Sequence, residues 1–150
     1  MEFVETQDGW HLSFKEGRVD LLQIDFRLTV LISDGRNKAS FCVETQFELK
    51  CENSEAVLVP EQTQTLAPIL SIFNAAVHDI SITRTGTLVV QFEKGAVLYV
   101  ASNESYEAWQ LTCSFESEET NLMLVCPPGG DVAVFRESAN PRRAKTMPLN

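Results

Sequence analysis

The chain has little of what most catalytic and membrane proteins advertise. In 150 residues there are two histidines, and no apolar run approaches the ~18 residues that a membrane span needs. Residues 1–10, MEFVETQDGW, carry acids where a secretory signal carries bases, and no apolar segment follows, so the expectation is a soluble, cytoplasmic protein without a targeting segment. The four cysteines, Cys42, Cys51, Cys113 and Cys126, include no Cys-x-x-Cys pair. In a reducing compartment they read as small core thiols, and only His11 and His78 could join them in a zinc site, so neither metal nor cofactor is expected. Serine-elbow motifs (G-x-S-x-G) and phosphate-cradling loops (G-x-x-x-x-G-K-[ST], G-x-G-x-x-G) are absent. His78 next to Asp79 offers a His–Asp pair, but a surface turn explains it more simply. With twenty-one acids, some glycosidase-like carboxylate pair arises by abundance alone. These absences point away from an enzyme.

Cations are scarce as well. There are twelve Lys and Arg against twenty-one Asp and Glu, a formal charge of −9. Four of those cations, Arg136, Arg142, Arg143 and Lys145, fall in the last fifteen residues beside Glu137 alone, which leaves a body, residues 1–135, of charge −12. From Gly95 to Phe135 there is no Lys or Arg, while Glu104, Glu107, Glu116, Glu118, Glu119 and Asp131 lie in that window. Such a balance disfavours nucleic acid and anionic lipid, and favours a basic partner. The basic run around Arg142 and Arg143 reads as part of a solvated tail.

What is present is period-two alternation, the mark of half-buried strands. Leu22, Ile24, Phe26, Leu28, Val30 and Ile32 share one parity up to Asp34-Gly35, a hairpin signal, after which Ala39, Phe41 and Val43 return and Phe47 and Leu49 mark a further strand. Sixty positions on the plan recurs: Leu28, Val30, Ile32 and Gly35 fall on Leu88, Val90, Phe92 and Gly95, and Trp109, Leu111 and Cys113 close the second unit. Between the units Leu66, Ile69, Leu70 and Phe73 follow the i, i+3, i+4, i+7 stripe of an amphipathic helix, with Thr65 as its N-cap and Pro68 in its first turn. Later, Leu122, Leu124 and Cys126 form a strand, Pro128-Gly129 suits the centre of a type II turn, and Val132, Val134 and Phe135 form the last strand. The predicted fold class is mainly β (α+β): two duplicated antiparallel meander units, roughly 19–51 and 79–113, joined by one amphipathic helix at roughly 63–75. One domain covers 1–136, followed by a flexible basic tail, 137–150.

The densest motif is Tyr106-Glu107-Ala108-Trp109. On a strand Glu107 and Trp109 would share a face, leaving Glu107 half-buried, either to meet a cation or to accept N–H bonds from a turn. That string, the duplicated meanders, Pro60-Glu61, Lys94-Gly95 and the later Pro128-Gly129-Gly130 together resemble an uncharacterised family of small bacterial single-domain proteins, over roughly Gly17 to Phe135. The resemblance implies a bacterial origin and a stand-alone module akin to the immunity-like proteins encoded beside secreted toxins. Tyr106, Trp109, Pro128, Gly129 and Gly130 are then its signature residues.

Two functional expectations follow. One is a non-enzymatic acidic binding protein, such as an immunity protein that neutralises a basic toxin, with Glu104, Glu107, Glu116, Glu118 and Glu119 as contact face; complementary charge would steer the encounter. The other is a small-molecule or catalytic pocket between the units, near Tyr106 and Trp109. Monomer and homodimer are equally compatible with the sequence.

Overall fold

The structure, a computed structural model, describes residues 1–117 and 120–138, with the side chain of Ser138 excepted. Glu118, Glu119 and most of the expected tail, residues 139–150, lie outside the described residues.

The chain begins with a hairpin that the alternation did not reveal, β1 (Glu2–Thr6) and β2 (Gly9–Ser13). A meander follows, β3 (Arg18–Ile24), β4 (Leu28–Ser33) and β5 (Lys38–Val43), turning at Gly35 with φ 91°. Then come β6 (Phe47–Cys51) and β7 (Ser54–Leu58), and beyond a 3₁₀ segment a second meander, β8 (Val77–Thr83), β9 (Leu88–Phe92) and β10 (Val97–Val100). The chain continues through β11 (Trp109–Ser114), β12 (Thr120–Cys126) and β13 (Ala133–Ser138). The last strand thus reaches two residues past the expected boundary at 136.

Among the described residues all ladders are antiparallel, and they make two sheets: β1-β2-β8-β9-β10-β6-β7 and β13-β12-β11-β5-β4-β3. The same plan runs twice, with an exchange. After the first meander, β6 leaves to pair with β10 of the second; after the second, β11 leaves to pair with β5 of the first. Each five-strand unit therefore contributes three strands to one sheet and two to the other, so both sheets are built from both units. Burial follows the period-two rule: in β4 Leu28, Val30 and Ile32 are fully buried while Thr29, Leu31 and Ser33 are half-buried. The inward residues of both sheets form one continuous core, from Trp10 and Leu12 to Leu124 and Cys126. Each fully buried Leu, Ile or Phe there contributes about 1.5–3 kcal/mol of transfer free energy.

Two expectations about local structure need correction. The connection between the units is a 3₁₀ helix, Thr63–Ile72, and not an α-helix to residue 75. Three residues per turn place i, i+3 and i+6 above one another, so Leu66, Ile69 and Ile72 are buried while Leu70 and Phe73 are 68% and 56% exposed. Gln62 stands at the N-cap, and the Thr65 hydroxyl instead bonds back to the Val59 and Gln62 carbonyls, at 3.0 and 2.7 Å. The segment touches both β3 and β7 and closes the side of the core between those two strands. The second correction concerns Phe26, expected to continue the buried parity of Leu22 and Leu28. It sits in the β3–β4 turn with φ 66° and is 79% exposed.

Candidate functional site

The two motifs that stand out in the sequence meet around one buried turn. Trp109, at the start of β11, is fully buried, and its Nε1 donates to the Gly86 carbonyl at 2.9 Å. Gly86, with φ 99°, packs so tightly that a Cβ there would lie 2.5 Å from Cys126 Sγ. Pro128 and Gly129 occupy the centre of a type II turn, closed by Gly130 N–H donating to the Pro127 carbonyl at 3.1 Å, with Gly129 at φ 86°. A Cβ on Gly130 would lie 2.3 Å from the Thr85 carbonyl oxygen. These contacts make a knot that ties the β8–β9 turn of one sheet to β11 and β12 of the other.

The knot also carries a loop, residues 101–108. Gly129 N–H donates to the Asn103 carbonyl at 2.9 Å, and Asn103 Oδ1 accepts from the N–H groups of Ser105 and Tyr106 at 2.8 and 3.0 Å. At the far end Ala108 is fixed on both sides, its N–H donating to Cys126 O at 3.0 Å and its carbonyl accepting from Glu44 N–H at 3.1 Å. Tyr106 is therefore a 69% exposed ring on a backbone held at three points.

This loop forms one wall of a cleft of about 960 Å³. The rest of the lining comes from the Asp25-Phe26-Arg27 turn, from Glu44-Thr45-Gln46, which links β5 to β6, and from Val59 and Glu61. Both exposed rings, Phe26 and Tyr106, line it. Phe26 adopts a left-handed conformation that bulky residues avoid, stabilised by Asp25 N–H donating to the Arg27 carbonyl at 3.1 Å. Among the described residues, four carboxylates, Asp25, Glu44, Glu61 and Glu107, and a single cation line it. That cation, Arg27, lies 3.3 Å from Asp25, whose hydrogen bond raises its pKa further. Among the described residues no Lys, Arg or His lies within 4.0 Å of Glu44, Glu61 or Glu107. Thr45, another lining residue, has its Oγ1 buried without a hydrogen-bond partner among the described residues.

Of the expected partner-binding glutamates, Glu107 lines this cleft and Glu104 is exposed on the same loop. Glu116 lies beyond the opposite end of β11, 3.8 Å from Arg36. A six-residue strand, roughly 20 Å long, separates it from Glu107, so these three do not form one face. Glu107 does not share a strand face with Trp109. It precedes β11, and its carboxylate accepts from the Gln110 side-chain amide rather than from a turn. Trp109 points into the core and does not line the cleft, whereas Asp25, Phe26, Glu44 and Glu61, not singled out in the sequence, do.

The remaining candidates are spread over the molecule. Asp79 pairs with His11 (Nδ1 to Oδ2, 3.3 Å) rather than with His78, and the same Oδ2 accepts from Ser81 Oγ at 2.9 Å. Serine and imidazole both bond to the carboxylate, which leaves the serine unactivated. Burial pushes the Cys113 thiol up to about 12 and raises those of Cys42 and Cys126, so these three remain protonated at neutral pH. Among the described residues no group of three or more His, Cys, Asp and Glu is placed to hold a metal ion, and no helix is long and apolar enough to cross a membrane.

No curated protein and no solved structure matches the chain. The profile of the family of unknown function DUF6188 matches residues 10–136, a span that holds both the knot and the cleft, and the chain belongs to that family.

Proposed function

We propose that the chain is a non-enzymatic binding protein that captures a cationic segment of a protein partner in the cleft between Phe26 and Tyr106. The observation that carries this reading is the charge of the cleft: beyond the Asp25–Arg27 pair, three more carboxylates line it with no Lys, Arg or His within 4.0 Å among the described residues, beside two exposed aromatic rings. Arginine and lysine side chains suit such a lining, because the carboxylates neutralise their charge and the ring faces attract it. A basic toxin domain, held and neutralised as an immunity protein would hold it, is the partner class that a chain of charge −9 fits.

The volume is also within the range of small-ligand pockets, so a free organic cation is the second reading. Fluorescence anisotropy with labelled hexa-arginine tests the first. Binding is expected to weaken steeply with added salt and to fall at least tenfold in Tyr106→Ala and in Glu44→Gln/Glu107→Gln. Equal binding by wild type and variants, or equal binding of hexaglutamate, overturns it. Full competition by free arginine amide at matched charge would favour the small cation.

A further inference from the structure

Strand register fixes which side chains share the outer face of each sheet. On the six-stranded sheet one row across all strands reads Leu21, Leu31, Ser40, Thr112, Met123 and Phe135. The next row, toward the cleft, reads Gln23, Thr29, Cys42, Gln110, Val125 and Ala133. Neither row holds a charge. On the seven-stranded sheet the corresponding rows contain His11, Glu48, Lys50, Glu55 and Asp79. In a chain where 22% of residues are charged, twelve uncharged neighbours on one face make a distinct surface, and depletion of charge is what marks the centre of protein interfaces.

We infer that this face pairs two copies of the chain, sheet against sheet. Charge selects the occupant. Two bodies of −9 repel wherever carboxylates meet, and none stands at any of these twelve positions. A basic partner, in contrast, gains nothing from uncharged rows and is drawn to the cleft. Shape agrees with a twofold axis along the strands, between β5 and β11. That axis sets Leu21 against Phe135 of the second copy, Leu31 against Met123 and Ser40 against Thr112. Bulky side chains then meet at the flanks, where Leu21 and Phe135 are 46% and 48% exposed, and small ones meet at the centre. Strands ~4.8 Å apart and rows ~6.6 Å apart make the patch roughly 400 Å². That is about half of what each partner buries in a stable complex, so the dimer is weak.

Analytical ultracentrifugation of the full chain, from roughly 10 μM to 1 mM and at low and high salt, tests this. Dimer is expected to grow with concentration and to grow further with salt, because salt screens the repulsion and there are no ion pairs to weaken. Hexa-arginine binding in the cleft has the opposite salt dependence, so the two sites are read separately. Thr112→Glu, at the axis, is expected to weaken the dimer at least tenfold, and Tyr99→Glu, on the outer face of the other sheet, to leave it unchanged. If Thr112→Glu fails to fold by circular dichroism, Met123→Lys replaces it. A chain that stays monomeric throughout, a dimer that salt dissolves, or one that survives Thr112→Glu overturns the inference.

Discussion

The indole Nε1 of Trp109 donates to the carbonyl oxygen of Gly86 at 2.9 Å, joining β11 of one sheet to the β8–β9 turn of the other. Both groups are buried, so neither can fall back on water when the other is removed. Trp109→Phe keeps most of the ring volume and removes the donor, and it is expected to destabilise the fold by about 1–3 kcal/mol, read as a lower urea midpoint at unchanged slope. Trp109→Ala adds a cavity and is expected to lose about 3–5 kcal/mol. A midpoint unmoved by Trp109→Phe would mean that the bond contributes nothing.

Glycines at similar φ separate backbone strain from crowding. Gly35, Gly86 and Gly130 stand at φ 91°, 99° and 94°, but a Cβ at Gly35 meets nothing within 4 Å, whereas at Gly86 and Gly130 it meets Cys126 Sγ and the Thr85 carbonyl. Gly35→Ala is expected to lose only the conformational term, about 1–2 kcal/mol. Gly130→Ala, where the obstacle is backbone, is expected to lose clearly more, and to loosen Tyr106 through Gly129 and Asn103 as well. Equal losses at the two sites in chemical denaturation would remove the crowding argument.

Phe26 sets stability against binding. Its left-handed backbone costs about 1–2 kcal/mol relative to a residue that accepts φ 66°, while its exposed ring recovers little by burial. Phe26→Asn is therefore expected to raise the thermal midpoint and, under the proposed function, to weaken hexa-arginine binding. A variant that loses stability instead would show that the ring packs against its surroundings more than its exposure implies.

Where the sequence was legible, one residue type carried one local demand. Asp34-Gly35, Lys94-Gly95 and Pro128-Gly129 all turn where expected, with positive φ at each glycine. Alternation located the strands of both meanders because their inward faces are continuous runs of Leu, Val, Ile and Phe. It could not name the partner of a strand: nothing in Phe47–Cys51 says that β6 pairs with β10 rather than β5, since pairing depends on the whole core. Glu2–Thr6 shows no alternation because the outer strand of a hairpin at a sheet edge needs few apolar residues. The 3₁₀ helix was misread because Leu70 and Phe73 supply an α-like stripe that the fold leaves exposed, while Ile72, three residues past Ile69, carried the true period. The cleft was half legible. Tyr106 and Glu107 stood out, but Phe26, Glu44 and Glu61 join them only through the exchange of strands between sheets.

Asp34 gives the fold a defined acid limit. Its carboxylate accepts from the N–H groups of Asn37 and Arg36 at 2.7 and 2.9 Å and from the Asn37 side chain at 3.0 Å, and lies 3.6 Å from the N-terminal amine. These bonds, those from Asn37 foremost, hold its pKa well below the usual carboxylate range. A pKa lowered on folding contributes stability that is complete above the unfolded value, near 4, and is lost as pH falls through the folded one. Asp34→Ala is therefore expected to be less stable than wild type by about 1–3 kcal/mol near neutral pH. The gap should stay flat down to pH ~5 and narrow progressively below pH ~4, as wild type loses what the variant never had. Urea midpoints of both proteins across that range check it: a gap that widens on acidification would reverse the sign, and one that stays constant would mean that what Asp34 contributes does not depend on its charge.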